Sequence, residues 1–125
     1  MASRGRGSYQ KGANYERHLA KIFAETFGVT VKRTGAQESS KIHGGDFNAH
    51  RSEKTVMNDF FWEAKCRESW SVIDWLKKAQ DDSGFRPAIV IATRNHEDDY
   101  AFLKLADFLR ILKELDGYRK ENPLS

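Results

Sequence analysis

Phe60-Phe61-Trp62-Glu63-Ala64-Lys65-Cys66 is the stretch on which the reading of this chain turns. In an extended strand successive side chains point to opposite faces, so Glu63 and Lys65 share one face. Phe60, Trp62, Ala64 and Cys66 share the other, which is apolar enough to be the buried one. Packing gives no reason for an acid and a lysine together at the end of such a strand. One explanation is a structural ion pair, worth less than about 1 kcal/mol. The other is a site. Asp46 lies upstream in Gly44-Gly45-Asp46, and with it the chain has two carboxylates for a hard divalent cation and a lysine beside whatever that cation binds.

Working upstream, Val29 to Arg33 reads as a first strand and Thr34 to Gly45 as a polar loop. Asp46-Phe47-Asn48-Ala49-His50 reads as a second strand, with Asp46 and Asn48 on one face. After a polar turn at Arg51 to Lys54, Thr55 to Cys66 reads as the third, so strands two and three are expected to form a hairpin. Further upstream, Asn14 can cap a helix that runs to Phe27 and stops at Gly28. Tyr15, Leu19, Ile22, Phe23 and Phe27 form its apolar face. Glu16 sits in its first turn, where an acid suits the helix dipole.

Working downstream, Ser71-Val72-Ile73-Asp74 has the form of a capping box opening a helix to about Asp82, with Gly84 as its stop. Ala88 to Thr93 is a continuous apolar run behind Pro87, the pattern of a buried parallel strand. The tail has two readings. Tyr100 to Leu115 can be one helix, or a strand over 100–105 followed by a helix from about Asp107 to Leu115 that stops at Gly117. The alternation of Tyr100, Phe102 and Lys104 with Ala101, Leu103 and Leu105 favours strand then helix. The organisation expected is a flexible basic arm (1–12), a single domain (13–117) and a C-terminal tail (118–125).

Composition narrows the function. With 125 residues, 39% of them hydrophobic, the chain has enough material for one modest core. No apolar run approaches the ~20 residues that span a bilayer, and the N-terminus lacks the apolar segment of a secretory signal. One cysteine excludes an internal disulfide and a multi-cysteine zinc site, as suits a reducing cytoplasm. His18, His43, His50 and His96 show no zinc spacing. The net charge of +3 is uneven: residues 1–41 hold eight Lys/Arg against three acids, so the other 84 residues come to −2. A basic front end on a nearly neutral body suits a polyanion partner, or serves only as a solubilising tail.

The pieces now resemble the PD-(D/E)xK nucleases, in particular the Holliday-junction-resolvase-like branch of archaeal resolvases and small phage endonucleases. The matching residues are Lys11-Gly12-x-x-x-Glu16-Arg17, Val31-Lys32-Arg33-Thr34-Gly35, Gly45-Asp46, Glu63-Ala64-Lys65, Trp75…Lys78-Ala79-Gln80 and Pro87-Ala88-Ile89-Val90-Ile91. They cover about residues 11–115. Gly45 stands where the family has the proline that names the motif, and the stretch from Asp46 to Glu63 is somewhat long.

The resemblance implies an α/β fold of the restriction-endonuclease-like kind, a mixed β-sheet flanked by helices in the order α-β-β-β-α-β-(β)-α. It implies a Mg²⁺-dependent DNA endonuclease, with Mn²⁺ able to substitute. Asp46, Glu63 and the Ala64 carbonyl are the metal ligands expected, and Glu16 binds the metal or orients a water. Lys65 orients the nucleophile and offsets developing negative charge. Arg4, Arg6, Lys11, Arg17, Lys32, Arg33, Thr34 and Gln80 are the expected DNA contacts. The expected substrate is branched or junction DNA, cut by a homodimer in the cytoplasm, in the phage-encoded form within the bacterial host. Two other readings stand beside it: a nickase or general nuclease of the same fold, and a non-catalytic DNA-binding module. Retention of Asp46, Glu63 and Lys65 argues against the last.

Overall fold

A computed structural model describes residues 2–34, 44–50, 52–95 and 97–123, with the backbone alone for residues 2–9. Gly35, His43, His96 and the side chains of Arg4 and Arg6 therefore lie outside the described residues. The elements are α1 (Ala2–Phe27), β1 (Val31–Arg33), β2 (Phe47–Ala49), a 3₁₀ turn (Val56–Asp59), β3 (Phe61–Cys66), α2 (Val72–Ser83), β4 (Ala88–Thr93), β5 (Tyr100–Phe102) and α3 (Leu105–Glu121). This is a small mixed sheet flanked by helices, as the restriction-endonuclease-like fold requires. No described helix is long and apolar enough to cross a membrane.

β3 and β4 pair in parallel, with Glu63 opposite Val90 and Lys65 opposite Ala92, and β5 adds antiparallel to β4. β4 is buried along its whole length, which is why it reads as an unbroken apolar run. β1 and β2 form a separate antiparallel pair. The two sheets meet at Gly44–Asp46, which runs parallel to β3: Trp62 N–H donates to the Gly44 carbonyl, and Asp46 N–H donates to the Trp62 carbonyl, each at 2.8 Å.

The helices close the two faces. Tyr15 and Leu19 of α1 pack on Phe47, Met57, Trp62, Ile89 and Ile91. Leu76 and Ala79 of α2 pack on Phe61, Ala88 and Val90. Trp62, Ala64 and Cys66 thus face α1, as their alternation predicts, while Phe61, Glu63 and Lys65 face α2. The Tyr15 hydroxyl donates to Asp99 Oδ1 at 2.8 Å, and burial together with that carboxylate holds the phenol well above its ordinary pKa.

Several boundaries differ from the sequence reading. α1 begins at Ala2 and not at Asn14, so residues 2–12 are helical. No proline interrupts them, and each added turn propagates a packed helix at one hydrogen bond per residue. Asn14 is no cap; its side chain accepts from Arg17 Nη1 at 2.9 Å. The expected hairpin of strands two and three is also absent. Thr55 Oγ1 accepts from Met57 N–H, and the Trp62 indole donates to the Met57 carbonyl at 3.0 Å, so residues 56–59 turn into 3₁₀ geometry and bury Met57. Such side-chain bonds to local backbone compete with a strand ladder. Ser71 precedes α2 as expected but makes no side-chain capping bond. The C-terminal half follows strand then helix, yet α3 runs past Gly117 to Glu121, supported by an Asp116–Lys120 pair at 2.9 Å and basic residues in the last turn.

Candidate active site

Asp46 is delivered by the two glycines before it. Gly44 and Gly45 have φ of 82° and 99°, a region closed to proline, whose ring holds φ near −65°. A Cβ on Gly45 would collide with the Trp62 carbonyl and lie 2.7 Å from its nitrogen. Glycine therefore replaces the motif's proline because the backbone here must press against β3. Thr34 braces the same segment: its N–H donates to the Asp46 carbonyl at 2.9 Å, and its hydroxyl donates to the Gly45 carbonyl at 2.5 Å. Asn48 donates to the Thr34 hydroxyl at 3.2 Å.

Held this way, Asp46 Oδ2 accepts the Ala64 N–H at 2.8 Å. Odd residues of β3 bond to β4, so the Ala64 amide points the other way, toward Asp46. In a parallel strand the carbonyl of a residue lies on the same side as its N–H, which puts the Ala64 oxygen on the Asp46 edge too. Burial, and after it the charge of Glu63, push the Asp46 carboxyl up to about 7, against the Ala64 hydrogen bond. Burial also raises Glu63, against the pull of the Lys65 and Lys78 charges. Two half-buried carboxylates that cost energy when both ionised form a site lacking positive charge.

Lys65 supplies part of that charge. Its ammonium lies 3.4 Å from Glu63 Oε1 and 5.8 Å from the centre of the Trp75 ring. Glu16 lies further back: Arg33 Nε donates to its Oε1 at 2.9 Å, and its charge still reaches Asp46 and Glu63. Among the described residues no three His, Cys, Asp or Glu side chains gather as a metal cluster. The donors that fit a hard cation are thus two carboxylates, Asp46 and Glu63, with the Ala64 carbonyl oxygen. Such an oxygen set suits Mg²⁺ or Mn²⁺ and not a thiolate-seeking metal.

The expected DNA contacts scatter. Lys32 is exposed, whereas Lys11 pairs with Glu68 at 3.7 Å and Arg33 with Glu16. Thr34 is a brace for Asp46. Gln80 lines a groove with Arg86, Lys104 and Arg110. The α2 residue whose charge reaches the site is Lys78. Its spacing of three from Trp75 places both on one helix face, the signal by which it could have been found.

A family model described as "Phage putative PDDEXK endonuclease" matches residues 7–122. No curated protein and no solved structure matches the chain.

Proposed function

The chain belongs to this phage PDDEXK endonuclease family, and on that premise we propose that it is a divalent-metal-dependent endonuclease selective for branched DNA, with a four-way junction as its preferred substrate. The observation that carries the metal-dependent reading is the Asp46 carboxylate, held on the Ala64 N–H and close enough to Glu63 for that second negative charge to raise its pKa. Asp46, Glu63 and the Ala64 carbonyl would hold Mg²⁺, with Mn²⁺ as a substitute. When bound, the cation acidifies water, neutralises phosphoryl charge and positions both reactants.

The chain's own groups do the rest. Lys65, kept between Glu63 and the Trp75 face, presents its ammonium to the attacked phosphate, where a preorganised donor is worth ~3–4 kcal/mol in the transition state. Glu16, oriented by Arg33, positions the attacking water. Lys32, Arg17 and the basic residues at the start of α1 hold phosphates with little readout of bases. Lys78 holds a further positive charge at the rim.

Resolving a junction takes two symmetric cuts, and each chain has one such site, so the acting species is a two-fold dimer. The outer face of α3 supports this reading. Leu105, Phe108, Leu109, Leu112 and Leu115 are each at least 40% exposed along one stripe, more apolar surface than a lone helix leaves in water without a partner.

The test is cleavage of labelled junction, flapped, nicked and linear DNA with Mg²⁺, Mn²⁺ or EDTA. Symmetric cuts in the junction that require the cation are the expected result. Equal cutting of linear duplex would replace junction selectivity with general nuclease activity. Binding with no cleavage of any form would leave a non-catalytic DNA-binding module.

A further inference from the structure

Phe85 is 93% exposed. It follows Gly84, whose φ of 66° turns the chain out of α2. The turn is held from within: Arg86 N–H donates to the Ser83 carbonyl at 3.3 Å, and the buried Ser83 hydroxyl donates to the Gln80 carbonyl at 2.9 Å. Pro87 then leads straight into β4. The ring is thus presented to solvent by a fixed turn.

A single exposed apolar residue is ordinary on a protein surface. Phe85 differs in its company. The Arg86 guanidinium lies 5.8 Å from its ring centre. Beside it a groove of about 270 Å³ is lined by Gln80, Lys104, Asp107 and Arg110. Its one carboxylate, Asp107, is buried and bonded to Arg110 Nη2 at 2.5 Å, so the groove is net positive. Through Arg86 the groove reaches the chain segment that carries Asp46. The Arg86 side chain rests against Gly44, where a Cβ would meet its Nη1 at 3.3 Å, and Gly44 is two residues, at most ~7 Å of chain, from Asp46.

We propose that this groove is a second DNA-contact surface, which holds an unpaired stretch of strand by stacking a base on Phe85 and setting its phosphates against Lys104 and Arg110. The inference rests on the reading of the chain as a DNA endonuclease. A basic track beside an aromatic face suits single-stranded nucleic acid, because every base has a ring face to stack while a paired base has none to spare. A substrate with unpaired bases on the strand that enters the site would gain contacts here that a continuous duplex does not.

The test is fluorescence anisotropy of the full chain in EDTA with two labelled probes, a blunt duplex and the same duplex with a single-stranded extension. Phe85→Ala is expected to weaken the extended probe about tenfold and leave the blunt one unchanged, and Phe85→Trp to restore the affinity. Lys104→Gln is expected to flatten the log–log salt slope for the extension by ~0.7. Because Phe85 is exposed, its variants should melt with the wild type. Equal affinities of Phe85→Ala and wild type for both probes would overturn the proposal, and so would a change in sedimentation with no change in DNA affinity. In either case Mg²⁺-dependent cleavage by the wild type, assayed in parallel, leaves the nuclease reading standing. A wild type that neither binds nor cuts any DNA would instead remove that reading and this inference with it.

Discussion

The Asp46 carboxylate is fastened to the backbone of Ala64, whose N–H it accepts at 2.8 Å. One hydrogen bond thereby sets the carboxylate of one sheet against the Glu63–Lys65 strand of the other. An amide oxygen can accept the same bond, so Asp46→Asn keeps the geometry and removes only the charge. Cleavage should fall by at least about 100-fold, while binding of DNA in EDTA stays equal or tightens. Wild-type turnover in Asp46→Asn or Glu63→Gln would remove both residues from the chemistry.

Asp46 should also make binding of the proposed divalent cation pH-dependent. Its carboxyl is raised from 3.8 to about 7 in the folded chain. Its stabilising contribution is therefore complete below about pH 4 and lost as pH rises through 7. A divalent cation must displace that proton below pH 7 and relieves the repulsion above it. Mg²⁺ affinity should drop about tenfold per pH unit below 7. Calorimetric titration at about pH 8 and about pH 5.5 reads this directly, and equal affinities would contradict it.

Lys65→Ala should lose turnover and keep its fold. The side chain touches Glu63 and the Trp75 ring at the edge of the site, and its removal opens no core cavity. We expect a rate loss of ~100-fold or more with the melting temperature nearly unchanged. A collapse in melting temperature with normal activity per folded molecule would make Lys65 a structural ion-pair partner.

Gly45→Ala tests the backbone approach itself. The added methyl meets Trp62 backbone atoms, and the φ of 99° is strained for any side chain. The loss should be about 2 kcal/mol or more, a fall in melting temperature of roughly 8 °C. Cleavage should fall as well, since Asp46 moves with the strand. An unchanged thermal scan would show that the segment relaxes freely.

The α3 stripe yields to charge. Leu109→Asp with Leu112→Asp places carboxylates in the proposed two-fold contact, each weakening the dimer by roughly 30-fold. Sedimentation should then give a monomer, and junction DNA should be nicked once and not cut in pairs. A wild type that is already monomeric would remove the stripe from the assembly.

Much of this protein is legible in one dimension because its signals are local. The alternation of residues 61–66, the apolar run of 88–93 and the glycines at 28 and 84 specify strand faces and helix ends with no knowledge of distant residues. The order of Asp46, Glu63 and Lys65 named the family for the same reason. What the chain could not show by itself depends on contacts between distant segments. The 3₁₀ turn at 56–59 exists because Trp62 reaches back to Met57, where local propensity reads a strand. Gly45 in place of proline looks like a lapse until Trp62 is seen pressed against it. The brace that Thr34 gives the Gly45 carbonyl, and the groove that Gln80 shares with Lys104 and Arg110, are likewise absent from the sequence pattern. Only tertiary packing decides these, because the energy of each lies in a partner many residues away.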